Sequence, residues 1–335
     1  MNQVTVLGSH NSYKKAIDSA LKPQLPPNVL RGLDYSHLPL SAQLDMGLRA
    51  LELDVVHDPN GGLYATPMGL KIPGSTPYDP DGEMKRPGLK VLHVPDIDFR
   101  SNNYTFRSCL RELKAWSDAH RTHLPIVITM NAKDEGIARE GAVTPLKFDK
   151  AAFDVWDAEI REMLPAEKLI TPDDIRGTFD TLEAAVLAHN WPTLDRVRGR
   201  FLFVLDETTQ KLATYTEGHA SLKGRVMFMN ARPGQPEAAV LILNDPIAQQ
   251  AEIQYAVRSG YLVRTRADAD TAEARKGDYT RLQSALASGA QIVSTDYYVE
   301  NPEFKTGYKV VLPGGNPARW NILMLPEVRP LPRTE

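Results

Sequence analysis

Three short segments near the start of the chain end in residues able to move protons and hold a cation. The apolar run Val4-Thr5-Val6-Leu7 empties into Gly8-Ser9-His10-Asn11-Ser12-Tyr13. The run Leu48-Arg49-Ala50-Leu51-Glu52-Leu53-Asp54-Val55-Val56 sets two carboxylates two residues apart, on one face of a single strand. A third run, Lys90-Val91-Leu92-His93, ends in another histidine. Two imidazoles divide acid and base work well near neutral pH. Carboxylates inside apolar strands are costly to bury unless a metal or a base compensates them. With the neutral oxygen of Asn11, Glu52 and Asp54 suit a hard cation such as calcium. Zinc sites lean instead on Cys and His. The plain alternative for both carboxylates is an ion pair with a neighbouring Arg or Lys.

Other run ends add candidates. Ile126-Val127-Ile128-Thr129-Met130 leads into Asn131, placed as a further cation ligand, and Lys133, placed to meet a phosphate; Asp134 and Glu135 follow. The last run closes as Ser294-Thr295-Asp296-Tyr297-Tyr298. In a closed barrel the last strand lies beside the first, which brings Asp296 next to His10. There a carboxylate fixes the imidazole tautomer and stabilises its charged form. Asp206, Arg264 and Arg266 are weaker candidates for the same rim, with an idle solvated charge as the alternative. His57, just past the carboxylate strand, competes with His93 for the second histidine role.

The elements that must position these residues alternate along the whole chain. Strand-like runs are Val4–Leu7, Ala50–Val56, Val91–His93, Ile126–Met130, Phe201–Leu205, Val226–Met229, Tyr261–Arg264 and Gln291–Thr295. Amphipathic stretches between them include Ser41–Met46, Phe106–Ala119, Phe148–Met163, Leu182–Ala188, Pro246–Ser259 and Tyr279–Ser288. Eight strands separated by helices predict parallel βαβ units closing into an α/β barrel, whose chemistry sits at the C-terminal strand ends. Val240–Leu243 is too short to assign by periodicity and competes with Val226–Met229. The Gly- and Pro-rich stretch at about 58–87 predicts an elaborated loop facing substrate. Residues 307–317 resemble a terminal hairpin turning at Gly314-Gly315, with a barrel-sealing tail as the favoured alternative. Residues 1–335 thus read as one catalytic domain, with an extension at about 300–335.

Composition narrows the function classes. The 335 residues are 42% hydrophobic and 24% charged, with 39 Lys+Arg against 42 Asp+Glu and a net charge of −3. No basic stretch interleaves with aromatics, which argues against a nucleic-acid partner. Cys109 is the single cysteine, so no internal disulfide forms; it falls in the helix expected over 104–120, as a core residue. No apolar run approaches the roughly 20 residues that span a bilayer. No secretory leader precedes the first strand, which leaves two compartments open: extracytoplasmic with the leader removed, or cytoplasmic.

The Gly-Ser-His-Asn-Ser-Tyr run, the Glu-x-Asp strand and the following His-ended strand resemble the phosphoinositide-specific phospholipase C superfamily. The match is to its calcium-dependent microbial branch. Ser294-Thr295-Asp296-Tyr297 and Val263-Arg264-Thr265-Arg266-Ala267-Asp268 also look like that branch, and the resemblance spans about residues 4 to 300. It implies an irregular TIM-type (β/α)8 barrel that cleaves phosphodiesters by intramolecular attack of an inositol hydroxyl, giving a cyclic phosphate. It further implies His10 as general base, His93 as general acid and Ca2+ held by Asn11, Glu52 and Asp54. Asp296 resembles the carboxylate that orients the first histidine in metal-free bacterial relatives. Lys133, Arg266 and Tyr297 are the expected substrate-binding residues. Where eukaryotic relatives carry a glutamate ligand on the fourth strand, this chain has Asn131. That exchange weakens calcium binding or passes the ligand role to Asp134 or Glu135. The expected partner is a phosphodiester substrate, at a membrane surface if it is a lipid. Three alternatives stand beside this reading: a glycerophosphodiester phosphodiesterase, a barrel enzyme of the same ancestry acting on a non-lipid substrate, and a non-catalytic binding module.

Overall fold

The computed structural model describes residues 1–325. Among these, the strands in chain order are β1 (Val4–Ser9), β2 (Ala50–Val56), β3 (Lys90–Val91), β4 (Ile126–Ala132), β5 (Leu169–Ile170), β6 (Phe201–Leu205), β7 (Phe228–Met229), β8 (Val240–Ile242), β9 (Leu262–Arg266), β10 (Ile292–Thr295) and β11 (Ala318–Trp320). Parallel pairing runs β1–β2–β4–β6–β7 on one side and β1–β10–β9–β8 on the other. A lone parallel bridge, Asn230↔Val240, joins β7 to β8 and closes the ring. This is the expected α/β barrel, and its irregularity is concentrated at that seam. β5 takes the N-terminal end of the β6 edge and β7 only its C-terminal end.

The local sequence accounts for the elements. β1 and β2 are buried along their whole length, as parallel strands covered on both faces must be. The helix Phe106–Ala119 starts where the Thr105 side chain accepts the Ser108 N–H, completing a capping box. It buries Phe106, Cys109, Leu110, Leu113 and Trp116 along one stripe against the sheet. Cys109 is thus a core residue, as expected. The helix Lys150–Met163 begins at Asp149, whose carboxylate accepts the Ala152 N–H. No helix among the described residues is long and apolar enough to cross a membrane.

Three expectations are corrected. The run Val91–His93 is not a barrel strand: β3 pairs antiparallel with the far end of β2, Val55↔Val91 and Val56↔Lys90. Between β2 and β3 the chain forms only short 3-10 turns, and without a crossover helix it returns antiparallel. Val240–Ile242 fills the vacated barrel position alongside Phe228–Met229, so the two competing runs are both strands. The tail forms no hairpin. A 3-10 turn at Pro313–Gly315 leads into β11, which lies antiparallel on β1 (Val4↔Trp320, Val6↔Ala318) and covers the edge that β2 leaves free there. Of the C-terminal extension, residues 326–335 lie outside the described residues.

β1 and β2 touch at a single register pair, Gly8↔Ala50. A Cβ on Gly8 would meet the Ala50 Cβ at 2.6 Å and the Ala50 carbonyl oxygen at 2.7 Å. Glycine therefore sets the spacing of the two strands that carry His10 and Glu52. Gly8→Ala is expected to lower the unfolding free energy by about 1–3 kcal/mol, the usual cost of overpacking. Urea denaturation measures it, and an unchanged midpoint contradicts the close approach.

Candidate active site

The β1–β10 register (Ser9↔Thr295) sets the two residues that follow side by side. His10 Nδ1 lies 2.9 Å from Asp296 Oδ1, the neighbourhood that barrel closure predicts. Arg266, from the end of β9, donates to Asp296 Oδ2 at 3.0 Å and to His10 Nε2 at 3.4 Å. A carboxylate only accepts and a guanidinium only donates. Together they assign the imidazole proton to Nδ1 and leave Nε2 as the acceptor beside Arg266, 3.8 Å from Glu52 Oε1. Burial lowers the His10 pKa and Arg266 adds to this, against Asp296 and Glu52. Burial pushes the Asp296 carboxyl up, but His10 and Arg266 more than reverse this and hold it well below the usual range.

Glu52 and Asp54 point into the barrel from β2. Glu52 Oε2 is ion-paired with Arg264, while Oε1 accepts from Asn131 Nδ2 at 3.2 Å. Burial raises its pKa, and Arg264 followed by His10 brings it below the ordinary value. Asp54 is fully buried, with the Tyr13 hydroxyl among its neighbours. Its countercharge is Lys133 Nζ at 3.0 Å. Asn131 is the register partner of Asp54 on β4. The ion-pair alternative for these carboxylates is therefore realised. Asp54 has one countercharge, a lysine itself a third exposed, which a cation can replace.

Asn11 is buried beside this group in the left-handed region, φ 47°, a conformation Asn tolerates better than most residues. Its Nδ2 donates to Tyr35 Oη at 2.7 Å, leaving its carbonyl oxygen as the group with ligand character. Ser12 Oγ accepts the Glu52 N–H at 2.7 Å, which ties the turn after β1 to β2. Asp206 ends β6 with Asn230 Nδ2 on its Oδ1 at 2.9 Å. Burial raises its pKa to about 6, with Arg264 opposing and Glu52 adding to the rise.

The second histidine is held by a different device. His93 Nδ1 lies 2.8 Å from Asp98 Oδ2 in the turn closed by the Val94↔Asp98 bridge. Asp98 Oδ1 faces Lys14 Nζ at 3.2 Å, with both side chains buried. Tyr13 feels both Asp54 and Asp98, and burial first, then these charges, pushes its hydroxyl well above normal. His93 thus sits in an excursion beyond β2, on a loop turn instead of a barrel-strand tip.

The expected residues do not all converge. Lys133 is engaged by Asp54 instead of standing free for a phosphate. Asp134 is bound to Lys211 at 2.9 Å. Tyr297, next to Asp296, turns the other way and packs against Phe304 and Tyr308. His57 sits against the Phe148 ring. Sequence reasoning missed Tyr35, whose Oη lies 3.3 Å from His10 Nδ1, and His37, whose Nε2 donates to the His10 carbonyl at 2.8 Å. It also missed Asp98, for which the five-residue spacing from His93 was the available signal.

The sequence profile of the family described as phosphoinositide phospholipase C, Ca2+-dependent, matches residues 1–322. The chain belongs to this family. No curated protein matches it. Among solved structures, it is similar to a calcium-dependent phosphoinositol-specific phospholipase C from a Gram-negative Pseudomonas sp., in a myoinositol complex. That match has TM-score 0.56 and 18% identity, over 95% of this chain and 94% of that one. A Ca2+-dependent phosphatidylinositol-specific phospholipase C from Streptomyces antibioticus matches with TM-score 0.55 and 20% identity, over 91% and 96%. These likenesses establish a shared fold with this family of enzymes.

Glu52 and Arg264 are both buried, so removing one partner strands the other. Arg264→Met is expected to cost about 3–5 kcal/mol of stability, and Glu52→Gln/Arg264→Met to recover most of it. Chemical denaturation of the two variants checks this; equal losses in single and double variants contradict the pairing.

Proposed function

We propose that the protein cleaves phosphatidylinositol-type lipids, or related inositol phosphodiesters, by calcium-assisted intramolecular attack that yields a cyclic phosphate. The observation that carries this reading is the His10 ring. Its Nδ1 proton is held by Asp296, and its Nε2 is turned toward the carboxylate pair. His10 Nε2 takes the proton of the attacking inositol hydroxyl as its oxygen bonds to phosphorus. The bond from phosphorus to the leaving alkoxide then breaks, and His93 supplies the proton that neutralises it. Asp98 on Nδ1 orients the ring for this donation. Positioning and charge stabilisation do most of the work in phosphoryl transfer.

Glu52, Asp54, Asn11 and Asn131 would hold the calcium ion. The donor set suits it: two buried carboxylates and two amide oxygens form the all-oxygen site a hard cation takes. When bound, calcium supplies charge neutralisation at a non-bridging phosphate oxygen and lowers the pKa of a coordinated hydroxyl. With Asp54 drawn to a cation, Lys133 is released toward the phosphate. Arg266 already lies beside Nε2 and flanks the same position. A lipid substrate is met at a membrane surface, and a soluble one in bulk water.

Phosphorus NMR of reactions on phosphatidylinositol vesicles tests the reading. A cyclic inositol phosphate is expected with calcium and not with EGTA. His10→Ala and His93→Ala are each expected to slow its formation by at least about 10²-fold, the lower range for lost acid–base catalysis. Turnover that persists in EGTA contradicts the reading. Glycerol phosphate without a cyclic product points instead to glycerophosphodiester hydrolysis. Calcium binding without turnover points to a binding module.

A further inference from the structure

The two histidines have separate aspartates behind them, yet one buried side chain reaches the supports of both. Lys14, in the turn after β1, is wholly buried, which lysine almost never is unless paired. Its Nζ lies 3.2 Å from Asp98 Oδ1, the oxygen that Asp98 does not turn to His93. The same Nζ donates to the carbonyls of Leu33 at 2.8 Å, Tyr35 at 3.1 Å and Lys15 at 3.3 Å. It also stands 4.6 Å from the centre of the Tyr35 ring. The Lys14 backbone takes part as well. Its carbonyl accepts the His37 N–H at 2.9 Å, and its N–H donates to the Asn11 carbonyl at 2.9 Å.

The segment held in this way is the one that touches the first histidine. Tyr35 Oη lies 3.3 Å from His10 Nδ1 and accepts from Asn11 Nδ2, while His37 Nε2 donates to the His10 carbonyl. Residues 34–39 belong to no helix or strand, so bonds of this kind, and not a ladder, set their position. On the other side, Asp98 sits in the turn that carries His93, and without Lys14 its charge would be stranded in the interior. Tyr35 feels both supports. Burial pushes its hydroxyl well above the usual range, with Asp296 and then Asp98 adding to the rise. A lysine that needed only a countercharge would be satisfied by Asp98. This one divides its donors between two loops, each holding a different histidine.

We propose that Lys14 is a positioning residue that couples the two histidines. It holds the Asp98 carboxylate behind His93 and the 33–37 segment behind His10 and Asn11 in one fixed relation. The transfer needs its base on the attacking oxygen and its acid on the leaving oxygen at the same time, roughly in line. Displacing either group by about 1 Å can cost about 10²-fold. The inference rests on the His10 and His93 roles proposed above, and gives Lys14 no contact with substrate.

Two inositol phosphodiesters, one with an n-butyl and one with a para-nitrophenyl leaving group, separate the two links. The nitrophenolate departs as a stabilised anion and depends little on an acid, whereas the alkoxide needs one. Asp98→Asn is expected to slow the butyl substrate more than the aryl one. Lys14→Met is expected to lose at least about tenfold in kcat on the aryl substrate, through His10, and about tenfold more on the butyl one, through His93. Rates are taken per folded molecule, from near-UV circular dichroism; unfolding alone lowers both rates equally. A wild-type aryl rate in Lys14→Met overturns the link to His10, and equal losses on both substrates overturn the link to His93. Should Lys14→Met fail to fold, Lys14→Met/Asp98→Asn removes both charges of the pair and takes its place. An aryl rate at least about tenfold below that of Asp98→Asn supports the coupling, and equal rates overturn it. Wild type that cleaves neither substrate fails the proposed function instead. Nitrogen NMR of the imidazoles then decides the coupling: displacement of both the His10 and His93 signals in Lys14→Met supports it, and either signal unmoved overturns it.

Discussion

The structure depends on carrying several ionised carboxylates inside the mouth of a barrel. Removing one such ion from water costs several kcal/mol unless a counter-charge or hydrogen bonds replace the lost hydration. Each carboxylate has its own compensation: Asp296 from His10 and Arg266, Glu52 from Arg264 and Asn131, Asp54 from Lys133. These partners come from different strands, so the charges can be balanced only when the ring is closed and in register. A one-residue slip of β2 would turn Glu52 and Asp54 away from the mouth. The register that buries the apolar face therefore also sets the chemistry.

Compensation is not uniform, and the unevenness organises the site. Asp296 is saturated, which keeps it ionised and makes it a fixed orienting charge for His10. Asp54 has a single flexible, partly exposed lysine as its countercharge, so it is the carboxylate most able to exchange its partner for a cation. Asp206 lies between, its ionisation opposed by burial. Two histidines, each with an aspartate on Nδ1, flank this gradient from opposite constructions: a barrel-strand tip for His10 and a loop turn for His93. Both imidazoles are thus held through Nδ1, which leaves Nε2 for the proton transfers proposed above.

How much of this is legible in the sequence follows from the range of the contacts. Glu52 and Asp54 share a face because strands alternate, and Asp296 meets His10 because the last strand of a closed barrel adjoins the first. Both follow from local pattern plus one topological assumption. Short apolar runs do not reveal whether they join the ring: Val91–His93 reads as a member of it, and Val240–Leu243 as a competitor of Val226–Met229. Arg264 was visible only as a rim charge; its pairing with Glu52 spans 212 positions. Tyr35 and His37 lie in a loop without periodicity, and Asn230 acquires its role only through a seam that no local signal marks. Asn131 was read as a ligand by position, and its amide bond to Glu52 depends on side-chain geometry alone.

The central claim is that the carboxylates of β2 are arranged to share a divalent cation at the barrel mouth. Anomalous scattering from crystals equilibrated with calcium addresses it most directly. The account predicts one calcium peak at about 2.3–2.6 Å from oxygens of both Glu52 and Asp54, with Lys133 displaced from Asp54. Crystals at saturating calcium in which Asp54 keeps its lysine and no peak lies within coordinating distance of either carboxylate would contradict it.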